Sequence, residues 1–109
     1  GGMLMEILKL KKAAMIDGEP KTEISYDLES LTGNDMDMAL QECKRRGIQV
    51  GAIEIDPSYH MALFAQASGL AYEDIKRLGA RDCKNVIALV RAFFLSDSED
   101  SSDSETSEK

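Results

Sequence analysis

Residues 14–36 read "AMIDGEPKTEISYDLESLTGNDM", and the pattern changes within that stretch. Asp17-Gly18 accepts the positive φ that a two-residue hairpin turn demands, with Pro20 just after. Thr22, Ile24 and Tyr26 then alternate with Glu23, Ser25 and Asp27, the period of a half-buried strand. Upstream, "MEILKLKK" sets Ile7, Leu8 and Leu10 among polar residues. The spacing predicts an antiparallel hairpin of about residues 5–13 and 21–27. A lone hairpin is marginal in water, so it must pack on the rest of the chain.

The next segment reads as helix. Thr32 to Asn34 is a start signal with acids in the first turn, and Met36, Ala39, Leu40 and Cys43 fall at i, i+3, i+4 and i+7. Lys44, Arg45 and Arg46 suit the negative end of the helix dipole, and Gly47 suits the position after it. "IQVGAIEI", residues 48–55, is either a third short strand or an extended linker. Asp56-Pro57 gives a cap followed by proline at the first helical position, predicting a helix over 57–68 that ends at Gly69. A short helix over 71–78 should end at Gly79, and Asp82 should cap a last helix running to about Leu95. The fold expected is α+β: an N-terminal antiparallel β-hairpin packed on a three- to four-helix C-terminal part.

Charge divides the chain. Residues 96–109, "SDSEDSSDSETSEK", carry six acids against Lys109, a net −5 of the chain's −7, so the body holds only −2. With no apolar residue after Leu95, that tail is expected to be disordered. Ser96 and Ser102 each have Glu at +3, as acidophilic kinase sites do, but a solubilising tail is the simpler reading. Residues 1–4 read as a cloning remnant and chain start, and residues 5–95 as one globular domain. No run reaches membrane-span length, and no charged-then-apolar leader is present, so a cytoplasmic protein is expected. Cys43 and Cys83, far apart in sequence, are expected as reduced, half-buried thiols.

Chemistry finds little support. His60 is the only histidine, and no second ligand stands at metal spacing from it. No phosphate loop, G-x-S-x-G elbow or C-x-x-C occurs. The expectation is no catalytic residue, cofactor or metal, with His60 at the surface or boundary. A small helix-turn-helix DNA-binding regulator is the main alternative, because Ile75 and Val86 have a suitable separation, and a generic protein-interaction module is a further one. Gly79, however, comes one residue early, and only Lys84, Asn85 and Arg91 are offered to phosphates. Nucleic-acid affinity rests mostly on neutralised phosphates, so an acidic chain is expected to bind none.

Two helices carry more apolar residues than one stripe requires. On the last, Val86, Leu89, Val90 and Phe93 make the stripe, with Ile87 and Phe94 beside it. On the helix over 57–68, Met61 and Phe64 sit off the stripe of Tyr59, Ala62, Leu63 and Ala67. Ile87 and Phe94 are the first candidates for a partner-binding face, and Met61 and Phe64 the second. All four could instead fill the core.

The order of these elements resembles the tail assembly chaperones of tailed bacteriophages. The resemblance is carried by "DG", by "YDLESLTGND", by Ala65 to Leu70 as A-x-x-S-G-L, by Asp74 to Leu78 as D-I-x-x-L, by Asp82, and by the closing "VRAFFL". It covers about residues 7–95, and "GIQVGAIEI" and the acidic tail fall outside its pattern. The resemblance implies a non-catalytic phage or prophage protein of the bacterial cytoplasm, absent from the mature virion. Such proteins bind the tape measure protein during tail morphogenesis, with the tail tube protein as a second candidate partner and no membrane involved.

Overall fold

The computed structural model describes the backbone of residues 5–105 and the side chains of residues 5–96. Strand β1 (Glu6–Ile16) pairs antiparallel with β2 (Glu19–Tyr26), and helices α1 (Gly33–Arg45), α2 (Pro57–Ser68), α3 (Tyr72–Lys76) and α4 (Ala80–Glu105) come after them. The fold is α+β, an N-terminal hairpin packed on four helices.

Both turn residues sit at positive φ, Asp17 at 56° and Gly18 at 82°. Such a turn matches the twist of the flanking strands. The ladder therefore runs right up to it, and both strands are longer at that end than the sequence suggested. Pro20 is tolerated because β2 is an edge strand.

The register breaks once. Between the pairs Lys9↔Glu23 and Ala14↔Lys21, four residues of β1 face only Thr22 of β2. This bulge aims two successive amides at one acceptor, which a regular strand cannot do because neighbouring N–H groups alternate in direction. The acceptor is Asp82. Its carboxylate takes Lys11 N–H at 2.9 and 3.0 Å and Lys12 N–H at 3.1 Å.

That corrects the reading of Asp82 as the cap of the last helix. Gly79 occupies the cap position instead, since its carbonyl accepts Cys83 N–H at 2.9 Å. Asp82 lies within the first turn of α4, is 1% exposed, and faces the hairpin. Gly79 is likewise not the stop of α3, because its φ is not positive. Helix α3 ends at Lys76, earlier than expected.

The other caps form where the sequence put them. Thr32 and Asp35 exchange bonds in a capping box, with Asp35 N–H given to Thr32 Oγ1 at 3.2 Å and Thr32 N–H to Asp35 at 2.9 Å. Asp56 accepts Tyr59 N–H at 3.1 Å, ahead of Pro57. Gly47 and Gly69 stop α1 and α2 at φ 77° and 73°. Residues 48–55 do not form a third strand. Asp56 also takes Gly51 N–H at 3.0 Å, and Ala52 carbonyl takes the N–H of Ile55 and Asp56, so the chain turns there. Ile48, Val50 and Ile53 still pack on the core.

Helix α2 is the hub. Seven of its twelve residues are buried, and it touches α1, α3, α4 and β2. Ala62, Ala65 and Ala67 let those neighbours approach closely. Asp27 N–H, just past β2, reaches Ala67 carbonyl at 3.1 Å and ties the hairpin to the end of this helix.

Helix α4 runs on to Glu105, past the boundary expected at Ser96. No Gly or Pro lies between Ala80 and Glu105 to stop it. Residues 106–109 of the tail expected to be disordered, like 1–4, lie outside the described residues.

Candidate partner-binding surface

The inner stripe of α4 begins as core. Val86 and Val90 are fully buried. Phe93 continues the same stripe at helical spacing, yet it is only half-buried and stands outside the core cluster. Its ring meets Phe94 edge-on at 6.0 Å. Ile87, at the side of the stripe, is likewise half-buried without joining the core, and Leu95 is 47% exposed. The body has run out beneath the helix while its apolar face continues.

Phe94 turns inward. It stacks on His60 at 5.7 Å and lies 6.3 Å from the Tyr59 ring. His60 is fully buried, which corrects its expected place at the surface. No charged residue occurs between Pro57 and Ser68, and a helix apolar all round is buried. That signal in the sequence pointed to burial of His60 as well.

The histidine holds the linker. Its Nε2 lies 2.8 Å from Ile53 carbonyl, so Nε2 carries the proton and donates it. Burial pushes its pKa below the ordinary value, with Arg91 acting in the same direction against Ile53 carbonyl and Asp56. Its Nδ1 and the Tyr59 hydroxyl are buried without a hydrogen-bond partner.

The four residues singled out by sequence therefore separate. Phe64 is fully buried, with its ring 5.1 Å from Tyr26, and this removes it from any binding face. Its burial results from the many neighbours of α2. Met61 is half-buried and packed on the core. Phe94 is half-buried and packed through His60. Ile87 remains partly exposed, as do Phe93 and Leu95 elsewhere around the helix, which the sequence reading assigned to the core stripe or passed over. Periodicity gives the face of a helix, not the point along it where its neighbours end.

Between α1, α2 and α3 lies a cleft of about 280 Å³, lined in part by Glu42, Arg46, Gln66 and Tyr72. Arg46 is already engaged there. It pairs with Glu42 and Glu73 and lies 4.5 Å over the Tyr72 ring. Among the described residues no group of three or more His, Cys, Asp or Glu could hold a metal, and no helix is long and apolar enough to cross a membrane. Both cysteines are free, Cys43 fully buried and Cys83 half-buried. No family model, no curated protein and no solved structure matches the chain.

Proposed function

We propose that the protein is a non-catalytic chaperone of the tail assembly kind, which holds an apolar segment of the tape measure protein against the outer part of α4. The supporting observation is Phe93. It lies on the stripe that buries Val86 and Val90, but is left half-exposed and outside the core cluster. Apolar side chains left unfilled at the end of a continuous stripe suit a protein that shields another chain's apolar surface. The order of sequence motifs shared with tail assembly chaperones supports the choice of partner, with the tail tube protein second and the bacterial cytoplasm as the place.

The test is co-expression with a tape measure protein. The partner should stay soluble with the wild-type chain and precipitate with the Ile87→Ser/Phe93→Ser variant. That variant alone should keep its helical spectrum, since neither residue belongs to the core cluster. A partner that precipitates equally with both proteins would sink the reading. A mobility shift with duplex DNA at low salt would favour the helix-turn-helix alternative instead.

A further inference from the structure

The two strands of the hairpin are not equally engaged. Strand β1 is held at its bulge by Asp82. Along β2, among the described residues, no bond from outside the hairpin reaches Glu19 to Ser25. The first outward bond is that of Asp27 N–H to Ala67 carbonyl. In an antiparallel strand every second residue turns its N–H and C=O away from the ladder. The two-residue turn closes on the hydrogen-bonded pair Ile16–Glu19, so Glu19, Lys21 and Glu23 turn their amides to β1, while Thr22 and Ile24 present theirs on the open side. Pro20, which has no N–H, shares that open side and offers only its carbonyl there. A groove of about 230 Å³ runs beside this edge, lined by Ile16, Ile24, Ser68 and Leu70.

An open edge with a groove alongside is a place for an added strand. The charges on it name the strand. They alternate as Glu19, Lys21 and Glu23, a self-complementary series when read antiparallel. We propose that β2 pairs with β2 of a second copy of this chain, antiparallel about a two-fold axis at Thr22, to give a four-stranded sheet. In that register Lys21 stands opposite Glu23 of the second copy, twice, and Glu19 stands opposite Ser25. Pro20 falls opposite Ile24, beside the apolar floor of the groove. The outward-facing even residues meet even residues, Thr22 on Thr22 and Ile24 N–H on the Pro20 carbonyl, as the hydrogen-bonded pairs of the new ladder require. Moving the axis one residue either way sets Lys21 on Lys21 or Glu23 on Glu23. Opposed like charges destabilise a strand pair and unlike ones support it. In the single chain the two residues make only exposed pairs, Lys21 with Glu19 at 3.4 Å and Glu23 with Lys9 at 3.9 Å. These can re-form across the new interface. The pairing leaves the α4 surface free, so it stands or falls apart from the proposed chaperone role.

Sedimentation equilibrium of the full chain tests it with a charge swap. The wild type should dimerise reversibly. Lys21→Glu and Glu23→Lys should each weaken the dimer about tenfold or more, and the Lys21→Glu/Glu23→Lys double variant should regain most of the loss. Thermal melts of the variants should match the wild type, because both side chains are exposed. A wild type that stays monomeric at the highest concentration reached overturns the proposal. So do four equally dimeric proteins, which would put the interface elsewhere. So does weakening in the single variants without recovery in the double, which would leave the charges unpaired.

Discussion

His60 is a buried titratable group whose pKa burial pushes below the ordinary value. Its Nε2–H is committed to Ile53 carbonyl, its face to Phe94, and its bare Nδ1 to a partnerless interior. Adding a proton would put a charge and an unmet donor there. The charged groups acting on it are Asp56, which favours the proton, and Arg91, which opposes it. Because the folded pKa is depressed, the unfolded chain binds the extra proton first. Stability is then full above the ordinary histidine pKa of about 6.5 and falls as pH drops through it toward the depressed value. Asp56 works in a lower window. Burial pushes its pKa up, but the N–H groups of Gly51, Tyr59 and Ser58 outweigh that and hold it down. Its contribution persists until pH nears the ordinary Asp value of about 4. A His60→Phe variant should therefore keep its urea midpoint between about pH 7.5 and about pH 5, while the wild-type midpoint falls. Parallel decline of the two proteins would assign the acid sensitivity to another group.

Among the elements, caps were readable and long-range anchors were not. Thr32, Asp56, Gly47 and Gly69 act on their own helix, within a few residues, so local spacing reveals them. Gly79 and Asp82 present the same residue types, but their roles depend on β1, some seventy positions away. The two glycines that the sequence treats alike should respond differently. Gly69→Ala forces a Cβ onto a φ of 73°, which should cost about 1 kcal/mol. Gly79→Ala meets no such strain. Its Cβ would touch only the Lys12 side chain, at 3.5 Å, so the change should stay within about 0.5 kcal/mol. Chemical denaturation of the pair reads the difference directly, and equal losses would return Gly79 to the role of a helix stop. Element lengths were less legible than caps. Nothing in 48–55 announces that Asp56 draws the chain back at Gly51, and nothing after Leu95 breaks α4.

At the scale of the molecule, Asp82 joins the first element to the last. Hairpin and helices share one core, in which Ile16, Ile24 and Tyr26 meet α2, Val86 and Val90. Removing the carboxylate should thus weaken the whole body rather than one edge. Asp82→Ala gives up three bonds to a charged acceptor, which sets the loss at about 2–3 kcal/mol. Unfolding should remain a single transition, at a lower denaturant midpoint, when hairpin and helix signals are tracked together. A helix signal that stays put while the hairpin signal moves would show the two parts to be independent.

The same clamp imposes an order on synthesis. The amides of Lys11 and Lys12 leave the ribosome some seventy residues before their acceptor, which is made only with residue 82. Until then the bulge in β1 has nothing to close on, and a nascent or prematurely ended chain presents it unlatched. Closure of the bulge thereby reports that the chain has been made as far as Asp82, and a chain cut short before that residue leaves the two amides without their acceptor.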